Sequence, residues 1–147
     1  MKYPIGIQTF EKLREEGYVY VDKTALIYEL VSKGTIYFLS RPRRFGKSLM
    51  ISTLESYFEG RKELFEGLAI AELEKNWFRC PVFHVDFNGD NFTKEGVLED
   101  KIEGFIAQGE RRYGKDPDAL TMGDRFEAVL KLSLIHISEP TRLLSIS

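Results

Sequence analysis

Apolar residues change period several times along the chain, and each change marks an element. Residues 10–16 read as a short polar helical turn stopped by Gly17. Tyr18–Val21 reads as a short strand from its β-branched and aromatic content. Leu26, Ile27, Leu30 and Val31 recur at helical spacing within 24–32, with Asp22 suited to the N-cap and Gly34 to the C-terminal cap. Ile36–Ser40, in the apolar run that begins at Thr35, is predicted as the first core strand. Ile51, Leu54 and Phe58 share one face of a helix over 48–58, and Gly60 ends it. Residues 61–68, anchored by Leu64 and Phe65, and residues 71–77 read as helical turns, with Trp77 a packing residue. Pro81–Phe87 is near-continuously apolar, as in a parallel strand covered on both faces. A turn cluster at 88–92 follows.

A long helix is predicted over 95–113, with Val97, Leu98, Ile102, Phe105 and Ile106 facing inward. Gly96, Gly104 and Gly109 each weaken it by about 1 kcal/mol relative to alanine. After the loop 114–118, Asp124 caps a last helix whose apolar residues are Phe126, Val129 and Leu130. Alternation of strands and helices predicts a three-layer α/β fold around a parallel sheet, with ligands bound at the carboxyl ends of the strands.

The candidate chemistry sits between the first core strand and the helix at 48–58. There the chain reads Ser40-Arg41-Pro42-Arg43-Arg44-Phe45-Gly46-Lys47-Ser48. Strand, tight loop and helix in that order suit a phosphate-binding loop. The helix start offers free N–H groups and a positive dipole end, Gly46 permits close approach, Lys47 supplies charge, and Ser48 offers a hydroxyl to Mg²⁺. The full phosphate-loop pattern has a glycine where Arg41 stands. Three readings stay open: a nucleotide cradle, a loop for other phosphates including nucleic acid, and a solvated basic turn capped by Ser48. Asp22 and Lys23 carry two readings as well, capping with a surface charge, or contact with nucleotide or a neighbouring protein.

Bulk properties narrow these choices. With 147 residues, 43% hydrophobic and 30% charged, the chain has ordinary globular composition for one domain. A net charge of −2 creates no global field toward nucleic acid or anionic lipid, so the arginines at 41–44 act locally. One cysteine, Cys80, excludes an internal disulfide and fits a reducing, cytoplasmic setting. No apolar run approaches membrane-spanning length. His84 has no Cys or His partner at metal spacing, so it reads as a satisfied buried or half-buried ring.

The runs Tyr20-Val21-Asp22-Lys23-Thr24, Arg41-Pro42-Arg43-Arg44-Phe45-Gly46-Lys47-Ser48 and Pro81-Val82-Phe83-His84-Val85-Asp86-Phe87 resemble the bacterial AAA-ATPase-like family over about residues 3–131. In that family the arginine-rich form of the loop is usual, and full-length members often carry a PD-(D/E)XK nuclease-like domain. The resemblance implies ATP and Mg²⁺ as cofactors. It implies a P-loop NTPase of the AAA/ASCE-like kind, with its parallel sheet truncated after the second core strand. The nucleotide-binding residues are then Arg43, Arg44, Phe45, Gly46, Lys47, Ser48 and Leu49. Ser48 is the metal ligand, with Asp86 a weaker second candidate, since in such enzymes the metal-side acid sits on the following strand. The expected parent is an ATPase. The segment itself, lacking that strand, is expected to bind nucleotide weakly or not at all, and not to hydrolyse it. Rival functions are a nucleic-acid module using the Arg41–Arg44 cluster, with nucleic acid a possible partner of the full-length parent, and a non-catalytic protein-interaction domain.

The last stretch reads differently. Leu132-Ser133-Leu134-Ile135-His136-Ile137-Ser138-Glu139-Pro140-Thr141-Arg142 matches one frame of a translated transposase-type sequencing adapter. Residues 132–147 are therefore expected to be a non-native tail, with 1–131 the N-terminal part of the family's domain, and His136 to have no role. The alternative is a real strand, since the segment alternates.

Overall fold

A computed structural model describes residues 2–34, 36–40, 42, 44–87 and 93–135. The chain divides into two compact units, Met1–Val82 and Phe83–Ser147.

Among its described residues the first unit contains the helices α1 (Phe10–Glu15), α2 (Thr24–Lys33), α3 (Lys47–Phe58) and α4 (Ala69–Leu73), with a 3₁₀ turn at Lys62–Phe65. Two glycines set its corners. After α1, Gly17 at φ 70° lets the Gly17 and Tyr18 amides donate back to Arg14 O and Leu13 O. After α3, Gly60 at φ 71° repeats the arrangement, with Gly60 N to Tyr57 O at 3.0 Å and Arg61 N to Ser56 O at 3.1 Å. Both are Schellman motifs, which need a left-handed residue and satisfy the last carbonyls of the helix.

These turns fold α1 and the 3₁₀ turn onto α3 around an aromatic cluster. Phe10 and Phe65, both fully buried, lie 4.8 Å apart between ring centroids. Trp77 closes the cluster against Phe65 at 5.2 Å and Tyr57 at 5.5 Å, which is the packing role its sequence position suggested. Polar ties fix the register: the Phe10 amide donates to Ser52 Oγ (2.7 Å), and the Arg14 guanidinium donates to Leu64 O (2.7 Å) and Glu66 O (2.6 Å).

The second unit is a helical hairpin of α5 (Val97–Tyr113) and α6 (Met122–Ile135). Gly96, at φ 84°, forms the N-terminal corner of α5. Gly109 is buried where Val129 of α6 comes closest. Thr121 and Asp124 exchange hydrogen bonds (3.1 and 3.2 Å) in a capping box, with Thr121 at the cap position and Asp124 in the first turn, so the helix starts earlier than a cap at Asp124 would place it. Arg125 donates to both oxygens of Glu110 at 2.8 Å and to Glu103 at 2.7 Å, joining the helices.

Among the described residues the parallel sheet expected from the sequence is absent. Among the described residues the fold is helical, and β-pairing is limited to an isolated parallel bridge between Lys2 and Tyr18. The three-layer P-loop architecture is corrected accordingly. A run becomes a strand only when a neighbour takes its N–H and C=O groups, and these runs make other contacts. Ile36 and Phe38 stand 91% and 83% exposed, so no layer covers them. Tyr37 turns back, and its hydroxyl donates to Leu30 O (2.6 Å) at the end of α2. Its ring fills the space beside Gly34 where a Cβ would clash, so Gly34 ends α2 by leaving room and not by a left-handed cap. In the second unit, 83–87 lies along α5, with Phe83 against Tyr113 (5.6 Å) and Phe87 against Phe105 (6.4 Å). Four extended residues span about 13 Å and eight helical residues about 12 Å, so the run matches the helix in length and runs antiparallel to it.

Candidate functional site

The start of α3 is where the sequence-derived site is most nearly assembled. Gly46 adopts φ 75°, ψ 23° and serves as the N-cap residue, Lys47 is the first helical residue, and the Met50 amide closes the first turn on Gly46 O at 3.0 Å. Lys47 therefore stands at the mouth of the helix and not within its length. The amides of Lys47, Ser48 and Leu49 belong to the turn whose N–H groups have no intrahelical acceptor, and among the described residues no side-chain cap bond is made there. A left-handed residue followed by a right-handed one turns successive N–H groups toward a common side, the geometry of an anion nest.

Charge and space agree with that geometry. The first turn of α3 contains no acidic residue, so nothing there offsets the positive end of the helix. Arg44, Phe45, Gly46, Lys47 and Ser48 are all exposed. A Cβ built on Gly46 meets no atom within 4 Å, so a ligand has room against the backbone. Arg44 also has positive φ, 66°, a conformation uncommon outside glycine. Behind the mouth the helix is anchored: Leu49 is half-buried, and its carbonyl accepts from the Thr53 hydroxyl (2.7 Å) and the Ser52 hydroxyl (3.3 Å).

Other sequence-derived candidates separate from this cluster. Arg41 and Arg43 lie outside the described residues, as do the turn at 88–92 and residues 136–147, which include His136. Residues 132–135 continue α6, and Ser133 is buried. Asp86 belongs to the second unit, where it and His84 are exposed, so His84 is not the buried or half-buried ring expected of it. Among the described residues no group of three His, Cys, Asp or Glu side chains is placed to hold a metal. No helix among them is long and apolar enough to cross a membrane. A cavity of about 340 Å³, lined by Glu59, Gly60, Arg61, Glu63, Trp77, Phe78 and Arg79, lies past the opposite end of α3. Twelve helical residues, about 18 Å, separate it from Lys47.

Asp22 is engaged elsewhere too. One of its oxygens, Oδ1, accepts from the Thr24 amide (2.8 Å) and hydroxyl (2.6 Å), and Oδ2 accepts from the Ala69 amide (2.7 Å). Burial pushes its carboxyl upward, but the bonds from Thr24 and Ala69 and the charge of Arg14 prevail, and it ends below the usual aspartate range. The sequence put Asp22 at the N-cap of α2; that position falls on Lys23, without a side-chain cap bond, and Asp22 instead holds Thr24 and the head of a second helix that the sequence did not show.

Comparison with known proteins adds the following. The AAA-ATPase-like family model, described as a predicted AAA-ATPase, matches residues 4–144, past the boundary at 131 that the adapter reading draws. A protein of Azotobacter chroococcum mcd 1, described as an uncharacterized protein in the vnfD 5′ region, is 46% identical over 114 residues. That alignment covers 77% of this chain and 22% of the relative, so the matched segment is about a fifth of the relative's length. No solved structure matches.

Proposed function

This chain belongs to the AAA-ATPase-like family of predicted AAA-ATPases, and from that membership we propose that the mouth of α3 binds the triphosphate of ATP together with Mg²⁺. The observation that carries the reading is the left-handed Gly46 leading into an uncapped first turn with Lys47 and Ser48 exposed beside it. The amides of Lys47, Ser48 and Leu49 donate to phosphate oxygens, Lys47 neutralises the terminal phosphates, Arg44 and Phe45 form the approach, and Arg43 adds positive charge to the same run of sequence. Mg²⁺ bound with the nucleotide supplies charge neutralisation between phosphates, and the Ser48 hydroxyl is its ligand from this chain. Asp86 has no part in the proposal, because no cluster of metal ligands surrounds it among the described residues.

We further propose that the chain is the N-terminal part of a longer ATPase, with 132–147 an adapter-derived tail. In this reading the residues at the mouth of α3 hold phosphate. Hydrolysis also needs a group that orients water and, usually, an arginine on the γ-phosphate, and the remainder of the parent supplies them. Genomic DNA read past codon 131 tests the tail: a native frame that diverges at Leu132 supports it, and a frame that continues through Arg142 refutes it.

Equilibrium binding of ATP to the full-length parent, with and without Mg²⁺ and across a salt series, tests the site. Nucleotide binding depends on Mg²⁺. A nucleic-acid module instead binds oligonucleotides with an affinity that falls steeply with salt and is indifferent to Mg²⁺. A protein-interaction domain binds neither.

A further inference from the structure

The run Tyr20–Thr24, one of three that carried the family resemblance, takes no part in the phosphate site, yet Asp22 and Thr24 form a polar cluster that reaches a second helix. Thr24 is fully buried, and its hydroxyl both donates to Asp22 Oδ1 (2.6 Å) and accepts from the Ile70 amide (3.1 Å). Asp22 takes the amide immediately before, that of Ala69, at 2.7 Å. Ala69 and Ile70 open α4, whose first-turn N–H groups have no intrahelical acceptor. Two neighbouring side chains at the head of α2 therefore supply acceptors to a second helix more than forty residues away. Ile70, fully buried, is the apolar anchor that this arrangement holds in place.

We propose that Asp22 and Thr24 form a charge-dependent latch that fixes the head of α4 on the head of α2. An ionised carboxylate is needed, because all three bonds to Asp22 are donated to it and a protonated oxygen gives up acceptor capacity. The charged group acting on Asp22 is Arg14 of α1, which favours ionisation; Asp22 in turn helps raise the hydroxyl of Tyr20, which is pushed up mainly by burial. Glu66 and Glu72, on the approach to α4 and within it, are exposed. The latch is closed at neutral pH and opens as acid reaches Asp22. The α1–α3 contacts, made through Phe10, Ser52 and the aromatic cluster, stay in place.

Amide hydrogen exchange on the full chain, corrected for intrinsic rates, reads the latch directly. In the wild type the Ala69 and Ile70 amides are protected at neutral pH and lose protection in acid, ahead of the amides of α3. Asp22→Ala speeds exchange at both by about tenfold or more, as expected for loss of a bond to a charged acceptor. Asp22→Asn does the same and removes the acid step, whereas Thr24→Ser keeps protection. Unchanged Ala69 exchange in Asp22→Ala, or an acid step that survives in Asp22→Asn, overturns the proposal. Should both variants fail to fold, the wild type suffices: the Ala69 amide shift and the Asp22 carboxyl carbon shift titrate with one midpoint if the latch exists, and with different midpoints if it does not.

Discussion

Replacing Gly109 and Gly104 of α5 by alanine, one at a time, should change stability in opposite directions. A Cβ at Gly109 lies 2.6 Å from Val129 Cγ1 and 3.5 Å from Phe83 Cε1. Val129 is 1% exposed and stiff at χ1, so its methyl cannot swing aside and the helices must part. Overpacking of this kind costs about 1–3 kcal/mol. Gly109→Ala regains about 1 kcal/mol of helix propensity, leaving a net loss of about 1 kcal/mol. At Gly104 a Cβ meets nothing within 4 Å, so Gly104→Ala keeps the propensity gain and stabilises by about 0.5–1 kcal/mol. Native-state hydrogen exchange at amides of α5 and α6 measures both changes within the second unit. In a Val129→Ala background the Gly109→Ala loss should shrink, because the clashing methyl is gone. Equal stabilisation by the two alanines would refute the close approach of α5 and α6 at this point.

Three further outcomes follow from the geometry. Gly60→Ala forces a side chain into φ 71° and sets its Cβ 3.2 Å from Phe78 O, so thermal unfolding should show a loss of about 1–2 kcal/mol. Tyr37→Phe removes the hydroxyl that satisfies Leu30 O, and exchange in the last turn of α2 should quicken in line with a loss of about 1 kcal/mol. Glu110 is held below the usual glutamate range by its hydrogen bonds from Arg125, against desolvation, with help from the charges of Arg125 and Lys115. Its pairing is therefore fully present above the ordinary carboxylate pKa and is lost as pH falls through the lower folded value. An acid titration of α5–α6 stability should show that loss, and Arg125→Ala should flatten it.

Helices were legible in the sequence because their signals are local. The pattern Leu26–Val31 and the stops at Gly17 and Gly60 need only neighbours within a turn or two, and α2, α3 and α5 fall within two residues of their predicted starts. Tyr18–Val21, Ile36–Ser40 and Pro81–Phe87 have the composition of strands, but strand formation depends on a partner that composition does not specify. Phe83 and Phe87 found α5, and Tyr37 found the end of α2. The start of α3 at Gly46–Ser48 was legible because it depends on one glycine and one change of period. The reach of Asp22 to Ala69 was hidden, because sequence spacing carries no signal for a bond across 47 positions.

Thermal unfolding of the full-length protein that carries this segment, with and without ATP–Mg²⁺, tests the account at its centre. At nucleotide concentrations about 100-fold above Kd, binding stabilises the folded state by about 2.7 kcal/mol. The melting temperature should rise with ATP–Mg²⁺ in the wild type and stay fixed in Lys47→Ala. No rise in the wild type, or an equal rise in Lys47→Ala, would contradict the claim that the mouth of α3 holds the triphosphate.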